Sequence, residues 1–307
     1  MQTEEASSAP ARIGIDLGGT KIEGVMLAAG GEVLASKRTP APRGDYNATL
    51  RAIGDLVAAL EAAGGVVRGS LGIGLPGSVS PATGLVQGAN STWLNGRALG
   101  ADLQALLGRR VRLANDANCF ALSEAVDGAG AGARSVFGVI IGTGCGGGLV
   151  FDGKLIDGPN AIGGEWGHNP LPWASDAEHP GPQCWCGRRG CMETWVSGPG
   201  MAADHLRVAG QDLSAEQIAA RAAEGDDDAR ATLARHADRL GRGLAHVVNI
   251  FDPEVIVLGG GLSKLGGLYA DLPRHVARHV FATAPHVDVR PPRWGDASGV
   301  RGAAWLW

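Results

Sequence analysis

Residues 13–27, IGIDLGGTKIEGVML, decide the fold. A short apolar run at 13–16 ends on Asp16, Gly18 and Gly19 supply a turn, and a second apolar run covers 22–27. That pattern predicts strand, turn, strand: a hairpin of buried strands. The same plan recurs downstream, with apolar residues at 136–141, a glycine turn expected over 142–148 and a further strand at 149–151. Two hairpins of one design in one chain indicate an internal duplication.

Between and after these hairpins, strand and helix patterns alternate. Leu50, Ile53, Leu56, Val57 and Leu60 fall at helical spacing within 47–63, and Gly64 with Gly65 marks the stop. Leu71, Ile73 and Leu75 alternate as a strand before Pro76 and Gly77. A short helix carries Leu99, Leu103, Leu106 and Leu107, and a strand at 111–113 runs into Asn115, Asp116 and a new helix. Ala229, Leu233, Ala237, Leu240, Leu244 and Val247 predict a long helix, 255–258 a buried strand, and 259–261 a glycine turn into another helix. Strands alternating with helices give an α/β fold. No Pro- or Ser-rich linker separates the halves, so the duplication alone sets the expected domains at 1–112 and 113–296, with 297–307 rejoining the first.

At 307 residues the chain can bury substantial cores, and its 45% hydrophobic and 19% charged content is that of a globular protein. Its 50 glycines are roughly double the usual share of about 7%, and they cluster between apolar runs, as loops do where backbone approaches a ligand. A net charge of −4 offers no field to gather nucleic acid or an anionic membrane, so the expected partner is small. The first twelve residues carry acids where a signal peptide carries Lys or Arg, and no long apolar run follows, so a cytoplasmic location is expected. Five cysteines, three of them within eight residues, suit a metal in a reducing compartment better than disulfides.

Several clusters carry chemistry. In Asp16, Gly18, Gly19, Thr20 and Lys21, a carboxylate at a strand end precedes bare backbone amides that can approach phosphate oxygens. The spacing is not that of a Walker A loop, and the turn could equally be a plain glycine hairpin. The loop with Thr143 and Gly144 occupies the equivalent place in the second copy, and two such loops could grip a polyphosphate. Gly260 and Gly261 follow a buried strand, where α/β folds bind nucleotides, though such a turn also serves merely to enter a helix. Asp116 stands at a strand end before an amphipathic helix, either as an N-cap or as the carboxylate that phosphoryl transfer to an alcohol needs within reach of the hydroxyl. Glu165 and Glu193 flank a cysteine cluster and suit paired sugar hydroxyls; alone, each would read as a surface acid. Cys184, Cys186 and Cys191 supply three thiolates, and His168 upstream an imidazole, for a tetrahedral zinc. Four protein ligands leave no open position, so the metal would be structural. Cys119 and Cys145 read as small buried hydrophobes.

Taken together, IGIDLGGTK, GIGLPGSVS, LANDANCFALSEA, VIIGTGCGGG, GGEWGHNPLP, CWCGRRGCMET and DPEVIVLGGG resemble the ROK family (repressors, open reading frames, kinases) from end to end. NSTWLNG at 90–96 and the ending SGVRGAAWLW resemble its bacterial fructokinase, or manno(fructo)kinase, branch. The resemblance implies an actin-like, duplicated ribonuclease-H-type fold with a cleft between two domains, binding ATP with magnesium and a hexose, and a homodimer. By motif, Asp116 is the base; Asn115, Glu165, His168 and Glu193 bind sugar hydroxyls; Gly77 and Asn90 add to the sugar wall. Gly18, Gly19, Thr20, Lys21, Thr143 and Gly144 hold phosphates, Gly260 and Gly261 lie by the adenosine, and Asp16 places magnesium. The fourth zinc ligand, His168, rests partly on this resemblance. The expected reaction is ATP-dependent phosphorylation of D-fructose, and also of mannose, to the 6-phosphate. Glucose and N-acetylhexosamines are the alternatives within the family, and a sugar-responsive repressor is the alternative of another class. Such a repressor needs a DNA-binding domain ahead of the first strand, where only twelve residues precede Ile13.

Overall fold

The computed structural model describes residues 11–307, so nearly all of the acidic N-terminal stretch read against a signal peptide lies outside the described residues. The chain divides into two units: the first is the described chain up to Asp127 with Asp157–Gly163 and Ala297–Trp307, and the second is Gly128–Ile156 with Gly164–Asp296.

The first unit is built on strands β1 (Arg12–Leu17), β2 (Lys21–Leu27), β3 (Val33–Pro40) and β4 (Ser70–Leu75), a small ribbon of β5 (Ser78–Val79) and β6 (Val86–Gln87), and β7 (Val111–Asn115). Five of them form one sheet in the order β3-β2-β1-β4-β7, in which β1, β2 and β3 run antiparallel and β1, β4 and β7 run parallel. Helix α1 (Tyr46–Gly64) begins where the Asp45 carboxylate accepts the Ala48 amide and ends on Gly65 in the left-handed region. Its buried stripe of Ile53, Leu56, Val57 and Leu60 packs with Ile13, Ile15 and Ile22 of the sheet. Helices α2 (Leu99–Leu107) and α3 (Asp116–Val126) follow.

A C-terminal helix (Ser298–Ala304) packs on β1, β4 and α3. At Gly302 the approach is so close that a Cβ would stand 1.7 Å from the Cys119 carbonyl oxygen. Helices against both faces explain why β1 and β4 read as nearly unbroken apolar runs rather than alternating ones. The first unit runs past residue 112 because β7 is hydrogen-bonded to β4 and α3 packs on the C-terminal helix.

In the second unit, β8 (Ser135–Ile141), β9 (Cys145–Phe151), β10 (Lys154–Leu155), β11 (Val255–Gly259) and β12 (Val289–Arg290) form a sheet in the order β10-β9-β8-β11-β12. Its pairings repeat those of the first sheet: three antiparallel strands, then two parallel ones beside the first of them. This is the duplicated plan that the two hairpins indicated. Around it lie α4 (Glu193–Val196), α5 (Gly198–Ala209), α6 (Ala215–Glu224), α7 (Asp227–Phe251) and α8 (Leu268–Ala277).

Two local expectations need correction. The turn expected over 142–148 closes within 142–144, because β9 already begins at Cys145 and the later glycines lie in the strand. The turn after β11 leads into a short 3-10 segment, Gly261–Lys264, and helix α8 starts only at Leu268. Among the described residues, no helix is long and apolar enough to cross a membrane.

Candidate active site

In the first unit, strand register brings the predicted groups to one end of the sheet. Asp16 on β1 lies opposite Gly74 on β4, which lies opposite Ala114 on β7, two residues before Asp116. Burial, then the nearby carboxylate of Asp116, then that of Glu23 push the Asp16 carboxyl up to about 6, against the pull of Lys21. Asp16 therefore stands in a negative neighbourhood at this end of the sheet.

The hairpin turn beside Asp16 is closed by the Gly18 amide donating to the Lys21 carbonyl at 3.0 Å, and Thr20 stands exposed at its tip. Lys21 pairs with Glu23 at 3.1 Å, and so does Arg38 at 2.8 Å. A cation that motif reading missed stands at the turn as well: Arg43 donates from Nε to the Gly19 carbonyl at 2.9 Å.

Asn115 settles which residue caps α3. Its side-chain oxygen accepts from the amides of Ala117 at 2.9 Å and Asn118 at 3.4 Å, so the N-cap is Asn115, and Asp116 is the first helical residue. Asp116 is exposed, and its Oδ1 accepts the Ala117 amide at 2.8 Å. Asn115 Nδ2 donates to the Gly77 carbonyl at 3.0 Å. Gly77 has φ +74° and lies so close to the loop at 87–89 that a Cβ would meet the Gln87 oxygen at 2.3 Å. Asn95 fixes that loop by bonding both the amide and the carbonyl of Ala89, next to the exposed Asn90. Ser91 Oγ in turn would be 3.3 Å from a Cβ on Gly19. The first unit thus joins Asp16, the Gly18 to Lys21 turn, Gly77, Asn90, Asn115 and Asp116 into one neighbourhood.

In the second unit, the Gly142 amide donates to the Gly144 carbonyl at 3.0 Å, which leaves Thr143 exposed at the tip of the turn. Gly261 is adjacent, its amide nitrogen 4.0 Å from where a Gly142 Cβ would stand, and Ser263 Oγ donates to the Gly260 carbonyl at 2.7 Å. The four glycine-turn positions assigned to nucleotide therefore share one end of this sheet.

Glu193 borders the same turn: its Oε2 accepts the Cys145 amide at 3.0 Å, and its Oε1 accepts the indole N–H of Trp185 at 2.6 Å. Glu165 stands between the buried Trp166 and the Gly164 turn. Burial raises its carboxyl above the ordinary carboxylate value, His168 opposes this, and Glu193 adds to it. Glu165, His168 and Glu193 are thus electrostatic neighbours.

Beside them, one ligand atom each from His168, Cys184, Cys186 and Cys191 falls within 4.8 Å of the others. Cys184 Sγ is 3.6 Å from His168 Nδ1, and Cys186 Sγ is 3.7 Å from Cys191 Sγ. Ordinary zinc bond lengths in a tetrahedron require about 3.6 Å between sulfur and nitrogen and about 3.8 Å between sulfurs, so this donor set fits zinc. The loop that holds it is fastened to α7 by Glu178, which takes Arg239 at 2.8 Å and both terminal nitrogens of Arg242 at 2.8 and 2.9 Å. The other two cysteines, Cys119 and Cys145, are buried.

A sequence model of the ROK family matches residues 12–307. The N-acetyl-D-glucosamine kinase of Escherichia coli O9:H4 (strain HS) is 42% identical over 297 residues, covering 95% of this chain and 98% of that protein. Among solved structures, the ROK hexokinase from Thermus thermophilus superposes with a TM-score of 0.86 at 30% identity, covering 96% of this chain and 97% of that one. The ROK family glucokinase from Streptomyces griseus, solved with glucose and AMPPNP, gives a TM-score of 0.76 at 28% identity, covering 96% and 98%. The chain belongs to the ROK family.

Proposed function

We propose that this protein is an ATP-dependent sugar kinase that transfers the terminal phosphoryl group of ATP to the 6-hydroxyl of N-acetyl-D-glucosamine. The observation that carries the kinase reading is the cap of α3. Because Asn115 caps the helix, the Asp116 carboxylate stands at the helix start without being the cap. There it serves as the base that takes the acceptor hydroxyl proton.

Phosphoryl transfer asks the protein mainly for position and charge neutralisation. The turns at Gly18 to Lys21 and at Thr143 and Gly144 supply backbone amides for phosphate oxygens, Gly260 and Gly261 border the adenosine, and Asp16 holds magnesium. Magnesium, when bound, neutralises charge on the phosphates. Glu165, His168 and Glu193, with Asn90, Asn115 and Gly77, pair with the sugar's hydroxyls. Zinc on His168, Cys184, Cys186 and Cys191 is structural, fixing the loops that carry these acids.

The acceptor is where the sequence reading changes. Motif details favoured D-fructose, whereas the relative that is 42% identical over nearly the whole chain carries the name N-acetyl-D-glucosamine kinase. That length and identity outweigh short motifs, and N-acetyl-D-glucosamine takes the place of fructose. Sites that pair polar groups discriminate strongly against sugars lacking them.

A coupled assay with ATP and magnesium over N-acetyl-D-glucosamine, N-acetyl-D-mannosamine, D-glucose, D-mannose and D-fructose tests this. N-acetyl-D-glucosamine should show the highest kcat/KM, by about tenfold or more. Fructose in first place would overturn the acceptor, and turnover of none would overturn the kinase.

A further inference from the structure

Trp185 stands between two of the cluster cysteines and is 72% exposed, so burial of its ring does not account for a tryptophan at this place. It contacts two groups assigned to the acceptor sugar. Its indole N–H donates to Glu193 Oε1 at 2.6 Å, and its ring meets the His168 imidazole edge to face, with centroids 4.8 Å apart and planes at 84°. Glu193 is thereby held at both oxygens, by this indole and by the Cys145 amide at 3.0 Å. An ionised carboxylate offers about four acceptor sites, so two remain for sugar hydroxyls, in directions set by these two donors.

We propose that Trp185 is a positioning residue for the acceptor: it orients the Glu193 carboxylate and links that acid to the His168 and cysteine cluster. This rests on the sugar-kinase reading and deepens it. A charge-assisted hydrogen bond from a rigid ring fixes a carboxylate more firmly than water would. Because the indole acts through Glu193, its loss should be felt in sugar affinity and not at the nucleotide.

The test compares wild type, Trp185→Phe, Glu193→Gln and the double variant. Phenylalanine keeps a ring against His168 and removes only the donor. Trp185→Phe should raise KM for N-acetyl-D-glucosamine, and its calorimetric dissociation constant, about tenfold, leaving KM for ATP, kcat and zinc content within about twofold. In the Glu193→Gln background the same change should add less than about twofold, as expected when one residue acts through the other. An unchanged sugar KM in Trp185→Phe, or its full effect in the Glu193→Gln background, would overturn the inference while wild type remains an active kinase. A wild type that phosphorylates no hexose would instead remove the underlying reading, and the inference with it.

Discussion

One amide, that of Asn115, does two jobs: its nitrogen donates to the Gly77 carbonyl at 3.0 Å while its oxygen accepts the Ala117 amide at 2.9 Å. The first bond fixes the turn after β4, and the second starts α3, so Asp116 is placed by both. Asn115→Asp keeps the capping oxygen but loses the donor to Gly77. It should fold with little loss of stability yet drop kcat/KM about tenfold or more. Asn115→Ala loses the cap too, and its thermal midpoint should fall by about 2–4 °C, from a cap worth about 1 kcal/mol. Melting curves beside kinetics check the pair; full activity in Asn115→Asp would contradict this placement of Asp116.

Purified protein should contain about one zinc per chain, measurable by elemental analysis. Chelation should expose Cys184, Cys186 and Cys191 to a thiol reagent and weaken binding of N-acetyl-D-glucosamine about tenfold or more, since the same loop carries Glu193. Absence of zinc, or sugar affinity indifferent to its removal, would refute the structural role.

The buried Glu178 controls acid stability. Burial alone would raise its carboxyl, but hydrogen bonds from Arg242, Arg239 and the Ser175 amide outweigh burial and hold it well below its ordinary 4.5. A carboxyl lowered on folding contributes stability that is fully present above its unfolded value and is lost as pH falls toward the folded one. Glu178→Gln should therefore cost about 3 kcal/mol at pH 7, because it removes the buried acid that Arg239 and Arg242 share and leaves Arg239 with Asp204 alone and Arg242 with Asp238 alone. Denaturant titrations should show the gap from wild type narrowing below about pH 4.5. An equal gap at pH 7 and pH 3 would contradict the assignment.

Asp16 has the opposite sign. Its carboxyl is raised by burial and then by Asp116 to about 6, so its share of stability is present below the ordinary 3.8 and is lost as pH rises through about 6. Without divalent cations, Asp16→Asn should be more stable than wild type at pH 7.5, by about 1–3 kcal/mol, and equal to it near pH 4. Its turnover with magnesium and ATP should nearly vanish. Thermal midpoints at the two pH values decide; a gain of the same size at both would contradict the shared-charge picture.

The fold was legible where burial wrote itself into residue order. Residues 13–27 sit in β1 and β2 because helices cover β1 on both faces, and the helix read at 47–63 carries its apolar stripe into that core. Glycine misled at 146–148, where it signals crowding and not a turn: a Cβ on Gly147 would stand 2.8 Å from the Phe137 ring. β3 left no signal, since its residues are mostly exposed at a sheet edge and lack alternation. The glycine turns and the cysteine cluster were visible as motifs because their spacing along the chain is short. Arg43 and Trp185 were not, because each acts through one hydrogen bond, to Gly19 and to Glu193, that no periodicity encodes. The capping role of Asn115 was hidden by its neighbour, since Asp is an equally good cap by residue type.

The most direct test of the account is a single-turnover measurement of phosphoryl transfer from ATP to N-acetyl-D-glucosamine by wild type and Asp116→Asn, with sugar binding followed by calorimetry on the same samples. The variant should bind the sugar within about threefold of wild type while the transfer rate falls by about 10²-fold or more, as loss of a general base requires. A variant that transfers phosphate at close to the wild-type rate would contradict the role of Asp116 as that base.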